Sequence, residues 1–212
     1  MGLAPSQEPK KLPQEPKNNG QTTTEVPIEW VEHLEPITRS DSNKSKANVW
    51  KKHWVDDGSK IHCFALFARD LSITWGDDQR YWQWTVSKGA EDSEFETAVL
   101  KAVCWLDISG KFDTSNLTPK VKYEVVFAVM MSRDSYGWGI PVTLRIKFPD
   151  ERIEQRKESL EDKPKGQWIE LKVCEFVTPQ KPNGEVEISL FEHGGHWKNG
   201  LIVKGVLIRP KK

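Results

Sequence analysis

The chain has 212 residues, and its 31 lysines and arginines balance 31 aspartates and glutamates. Zero formal net charge excludes a global attraction to nucleic acid or anionic membrane. No stretch approaches the roughly 18 consecutive apolar residues of a membrane span. Ten tryptophans, against eight Phe and three Tyr, exclude a wholly disordered chain, because rings in that number belong to a packed core or an aromatic-lined surface.

Residues 1–48 hold six of the 13 prolines but one aromatic, Trp30. Such a segment buries too little surface to offset its ordering entropy, so it is expected to be a disordered tail. Gln7-Glu8-Pro9-Lys10 recurs as Gln14-Glu15-Pro16-Lys17, a low-complexity repeat. Residues 28–34 are the exception: Trp30, Val31 and Leu34 line one side of a short helix that would dock on the domain or on a partner. The start, Met1-Gly2-Leu3-Ala4-Pro5-Ser6, has no apolar signal core, so a cytoplasmic location is expected. It matches the loose Gly2…Ser6 myristoylation pattern, which many unmodified proteins share. The sequons at Asn43 and Asn116 are then expected to stay unused. Cys63, Cys104 and Cys174 are odd in number and far apart, as reduced buried thiols would be.

Residues 49–212 contain the remaining aromatics and alternate apolar with polar side chains, the period of half-buried strands. Strands are expected near 62–67, 72–75, 81–85, 100–109, 120–131, 142–148, 168–173, 185–190 and 201–209. Turn chemistry at Gly76-Asp77-Asp78, Ser109-Gly110-Lys111, Pro149-Asp150, Pro182-Asn183-Gly184 and Gly194-Gly195 separates them. Many short strands with polar turns indicate an all-β, antiparallel β-sandwich of jelly-roll type. Ser93-Glu94-Phe95-Glu96 reads as a helix capping box, with Phe95, Ala98, Val99 and Ala102 at helical spacing. The alternation from Leu100 to Ile108 limits that helix to a turn or two, and the strand reading is preferred from about Leu100.

Two constellations carry chemistry. Trp82 and Trp84 share a strand face, with Trp75 across a polar turn, so three indoles gather around one loop. Indole faces suit the C–H faces of pyranose rings and the methyl of an acetamido group, although core packing is the commoner fate of tryptophan. Glu192 shares the parity of Val186, Ile188 and Leu190, so its carboxylate falls where the pattern wants an apolar group and must find donors. Sugar hydroxyls, backbone amides or the Trp197 indole would serve. Glu185 lies on the polar face. Paired acids raise glycoside hydrolysis, but nothing in the spacing sets the separation that reaction needs. Glu192-His193-Gly194-Gly195-His196 is a weak metal pattern, more simply a turn, and no metal is expected. No nucleophile elbow, phosphate-cradling loop or Cys-x-x-Cys pair occurs, so neither catalysis nor a cofactor is expected.

Phe67-Ala68-Arg69-Asp70-Leu71-Ser72-Ile73-Thr74-Trp75, followed by Tyr81-Trp82-Gln83-Trp84, resembles the phloem protein 2 family of plants, which includes the tobacco agglutinin type of lectin. The resemblance continues through Val103–Ile108, Leu117–Pro119 with Tyr123, Trp168–Glu170, Gly184–Val186 and Trp197–Gly205, and covers residues 49–212 in order. His53–Asp56 and Tyr136–Trp138 bring it nearest the A-type members. It implies a β-sandwich lectin without catalysis, binding N-acetylglucosamine oligomers and N-glycan cores, in cytosol, nucleus or phloem sap. It places the family's sugar-site residues on Trp75, Trp82, Glu185 and Glu192. The mixed-charge loop 150–166 lacks the lysine run of the tobacco lectin's nuclear signal, which counts against nuclear entry. The alternative is a non-lectin phloem protein that binds protein or RNA. A homodimer is compatible with either.

Overall fold

The computed structural model describes residues 51–56, 58–88 and 94–211. The expectations for the tail and for a helix at 28–34 lie outside these residues. Among the described residues twelve strands follow in chain order: β1 (Lys51–Val55), β2 (His62–Phe67), β3 (Ser72–Ile73), β4 (Trp82–Lys88), β5 (Glu94–Leu100), β6 (Leu106–Asp113), β7 (Lys122–Met131), β8 (Val142–Lys147), β9 (Ile153–Glu158), β10 (Trp168–Val177), β11 (Glu185–Glu192) and β12 (Leu201–Pro210). They form two antiparallel sheets, as the alternation implied. The smaller runs β3-β6-β11-β8-β9. The larger has seven strands and branches at β12. One edge of β12 pairs with β7, which carries β10; its other edge pairs first with β5 and then with β2.

Period-two burial explains the sandwich. Leu106, Ile108 and Phe112 of β6, Val142, Leu144 and Ile146 of β8, and Val186, Ile188 and Leu190 of β11 turn inward and are buried. They meet Leu66, Leu100, Phe127, Val129 and Val206 from the larger sheet. Each such side chain contributes about 1.5–3 kcal/mol on full burial. β7 is buried along most of its length because Val126 and Ala128, on its outer face, pack with Ala65 and Leu207 beneath Trp54 and Phe67. Among the described residues no helix is long and apolar enough to cross a membrane. The three cysteines are free; Cys63 and Cys174 are buried and Cys104 half-buried. Burial pushes the Cys174 thiol up to about 12, far from a reactive thiolate.

Four local expectations are corrected. Residues 94–100 form a strand, not a helix: the helical spacing is accidental, and β5 pairs with β4 from Trp82↔Leu100 to Lys88↔Glu94. The expected strand over 100–109 is broken, since β5 ends at Leu100 and residues 101–105 form a loop before β6. Ser109-Gly110-Lys111 is not a turn but the middle of β6, opposite Ile188. Gly110 is there for space, since a Cβ would sit 2.6 Å from Leu71 Cδ2. The loop assigned to 150–166 also contains strand β9, an exposed edge whose polar side chains hide the alternation.

Candidate functional site

Antiparallel pairing brings four loops to one end of the sandwich: 74–81, 101–105, 132–141 and 193–200. They are tied to one another through the backbone. Val103 and Lys198 exchange N–H···O bonds at 3.0 and 2.8 Å, Lys101 N donates to Tyr81 O at 2.8 Å, and Ser132 N donates to Gly200 O at 2.7 Å. Gly137 lets two of the loops touch, because a Cβ there would fall 2.0 Å from Trp197 O. This end carries Trp75, Trp105, Tyr136 and Trp197, exposed by 46, 47, 55 and 56%. Solvent-facing rings are thus concentrated on one edge, which makes it the candidate binding surface.

Trp75 stands out by its backbone. Its φ is +58°, in the left-handed region, which is strained for a bulky residue by about 1–2 kcal/mol. The turn around it is held from every side. Gly76 N donates to Ile73 O at 2.8 Å, and Asp78 N to Trp75 O at 2.9 Å. Trp82 Nε1 donates to Thr74 O at 3.1 Å and Trp84 Nε1 to Gly76 O at 2.9 Å, so two indoles grip the carbonyls on either side of Trp75. Trp84 is in turn covered by the Arg69 guanidinium, 3.6 Å from its ring centroid, and Arg69 makes a forked pair with Glu96 at 2.8 and 2.9 Å. That pairing holds the Glu96 carboxyl below its usual range. Tyr81 flanks Trp75, with ring centroids 5.1 Å apart and tilted by 36°. Strain maintained in this way persists where the surroundings over-determine it, commonly at a working site.

The four residues named from sequence do not form one cluster. Trp75 is presented to solvent as expected. Trp82 is 1% exposed and belongs to the core, so its contribution here is to fix the Thr74 carbonyl rather than to offer a ring. Glu192 is buried at the base of the same end, as its parity implied. Its Oε1 accepts from Gly194 N at 2.6 Å, and Oε2 is 2.5 Å from Lys198 Nζ in ion contact. Lys198, itself 1% exposed, also donates to the Cys104 carbonyl. The buried carboxylate therefore fixes the Gly194 turn and, through Lys198, the approach to Trp105. Glu185 opens β11, opposite Asp113, at the other end of the sandwich. Seven residues of strand put it about 23 Å from Glu192 and on the opposite face. It is exposed and paired with Lys111 at 2.9 Å, which raises the Lys111 pKa.

Trp105 and Trp197 are the rings that strand parity does not find. Both sit in loops, where period-two alternation carries no information about exposure. The weak metal pattern at 192–196 resolves into other contacts: His193 Nε2 lies 2.7 Å from Asp107 Oδ2. Among the described residues no group of three or more His, Cys, Asp or Glu converges on a metal position.

A family model for Phloem protein 2 matches residues 61–210. Protein PHLOEM PROTEIN 2-LIKE A1 of Arabidopsis thaliana is 48% identical over 164 residues, spanning 76% of this chain and 66% of the relative. A protein named Lectin from Luffa acutangula is 40% identical over 166 residues, spanning 78% of each. Among solved structures, the carbohydrate-binding module TmCBM61 in complex with a galactotriose aligns with a TM-score of 0.38 and 12% identity, covering 66% of this chain and 87% of that one. That likeness is too distant to bear on function. The family model takes in every described strand but β1, together with the aromatic end, and on that match the chain belongs to the Phloem protein 2 family.

Proposed function

We propose that this chain is a non-catalytic, carbohydrate-binding lectin whose site is the aromatic loop end, with Trp75 as its principal stacking platform. The observation that carries the reading is Trp75 itself: an exposed indole held at positive φ by the N–H groups of Trp82 and Trp84. A solvent-facing ring kept in a strained backbone suits a ligand better than a fold. The relatives named as lectins agree with it. The ligand class is N-acetylglucosamine oligomers and N-glycan cores, whose apolar ring faces and acetamido methyls suit indole. Tyr81 flanks the ring, and the exposed Asp77 supplies a carboxylate on the same turn, whereas the Asp78 carboxylate is paired with the Arg80 guanidinium. Trp82 and Glu192 act from beneath, the first on the backbone of Thr74, the second on the Gly194 turn. Glu185 has no place in this site.

Aromatic contacts of about 0.5–1.5 kcal/mol beyond area burial and net hydrogen bonds of about 1 kcal/mol each give a weak single site. That corresponds to a Kd from about mM to tens of µM. Avidity in the cytosol or phloem sap would then come from a second copy of the chain or a multivalent glycan. Isothermal titration with chitotriose tests the reading: saturable binding by wild type, lost in Trp75→Ala with the fold retained, is the expected outcome.

A further inference from the structure

The two sheets do not close along every side. Among the described residues β3 pairs with β6 only at Ile108 and Ser109, so β6 from Gly110 to Asp113 presents a bare edge. Between that edge and β1–β2 of the larger sheet lies a cavity of about 220 Å³, lined by His53, Phe64, Leu66, Phe112, Asp113 and Asn116. Asp113 stands about 23 Å along β6 from Leu106 and the aromatic end. The floor is apolar: Leu66 and Phe112 are buried, Phe64 is half-buried, and the two phenyl centroids are 4.9 Å apart with planes tilted by 56°. His53 stacks on Phe64 at 4.8 Å and 26°, and its Nε2 lies 2.6 Å from His62 Nδ1, which fixes the imidazole as a wall. Burial and the neighbouring His62 lower the His53 pKa, so at neutral pH that wall carries no charge.

The rim is made of acceptors. Asp113 Oδ1 accepts from Ser115 N at 2.9 Å, and hydrogen bonding from Ser115 holds its carboxyl below the usual range, so it is ionised at neutral pH. No cation pairs with it among the described residues, whereas Glu185, opposite it in register, is matched by Lys111. Asn116 uses its amide N–H on Asp113 O at 2.9 Å, leaving its carbonyl oxygen as a second acceptor. An aromatic floor beneath an ionised carboxylate suits a cation carried on a flat apolar body. A pyranose does not suit it, since hydroxyls set against Phe64, Leu66 and Phe112 would lose their hydrogen bonds. Size agrees: an apolar cavity of about 150 Å³ takes up benzene, so this one has room for an aromatic ring and a short arm but not for an oligomer. We propose that the cavity binds a small aromatic amine, its ring against Phe64 and Phe112 and its ammonium group on Asp113 and Asn116. The site shares no residue with the aromatic end and is independent of the lectin reading.

Phenethylamine is the probe, followed through the backbone amide resonances of the full chain. 3-Phenylpropionate supplies the same ring with the opposite charge, and propylamine the charge without the ring. Phenethylamine should shift Phe112, Asp113 and Asn116 saturably, with a Kd of about mM, and neither of the others should saturate over that range. Asp113→Asn removes the charge but keeps a side chain that caps the Thr114–Asn116 turn, so the fold is retained and phenethylamine should bind about three- to tenfold more weakly. No saturable shift at the three residues in unmutated protein, or shifts confined to the indole N–H groups of the loop end, would overturn the proposal. So would equal binding of 3-phenylpropionate or propylamine, or unchanged affinity in folded Asp113→Asn.

Discussion

Trp82 donates its indole N–H to the carbonyl of Thr74 at 3.1 Å, one peptide before a tryptophan held at positive φ. The buried indole thus acts on the exposed one through a single backbone atom. Trp82→Phe keeps most of the packing volume but removes the donor. It should cost about 1–3 kcal/mol, from the lost hydrogen bond and the residual cavity. At about 2–4 °C per kcal/mol for a domain of this size, thermal unfolding measures it. Sugar affinity should fall as well, although the replaced side chain never reaches solvent. Unchanged affinity in folded Trp82→Phe would show that the carbonyl needs no such grip.

The strain at Trp75 is separable from its ring. Trp75→Ala and Trp75→Gly both remove the platform, but only glycine relieves the positive φ. The glycine variant should therefore be more stable than the alanine variant by about 1 kcal/mol in chemical denaturation, while both lose binding. Equal stabilities would mean that the turn relaxes in the alanine variant.

How much of this could be read from sequence follows from the same residues. Alternation over 186–192 placed Glu192 inward, and strand parity put Trp82 and Trp84 on one face; both follow from the two-residue repeat of a strand. Parity does not say which face meets the second sheet, so it left the burial of Trp82 open. Nor does it reach loops, which is why the exposure of Trp105 and Trp197 was hidden. The false turn at Gly110 arose because a glycine that admits a close neighbour looks the same in sequence as one that admits a bend. Glu185 and Glu192 are neighbours in sequence but are held apart by an unbroken strand.

The Glu192–Lys198 pair should be intolerant of half-removal. Both side chains are buried. Lys198→Met leaves the carboxylate without its countercharge and should destabilise by about 3–5 kcal/mol, whereas Lys198→Met with Glu192→Leu should recover most of the loss. Denaturant titration of the two single variants and the double variant gives the coupling. A double variant no better than Lys198→Met would show that the Gly194 N–H and Cys104 carbonyl, rather than the charge pair, dominate the cost.

Lys204 sets a pH dependence. It is 2% exposed on β12, with Nζ 4.3 Å from the Phe95 ring centroid, and burial lowers its pKa to about 7 from an ordinary value near 10.5. Below pH 7 the folded and unfolded chains both carry the proton. Between about 7 and 10.5 the unfolded chain binds more protons, so stability rises with pH, with a slope of up to about 1.4 kcal/mol per unit. Denaturation series from pH 6.5 to 10 should show that rise in wild type and a flatter profile in Lys204→Met. A slope of the same size in the variant would assign it to other groups.

In the proposed lectin reading, the exposed, strained Trp75 is the platform that binds carbohydrate. Calorimetric titration of the full chain with chitotriose, wild type beside Trp75→Ala, tests it most directly. Wild type should bind saturably in the range of about mM to tens of µM, with at least about a tenfold loss in a variant whose circular dichroism is unchanged. Equal affinity in the two proteins, or no saturable heat from folded wild type, would contradict it.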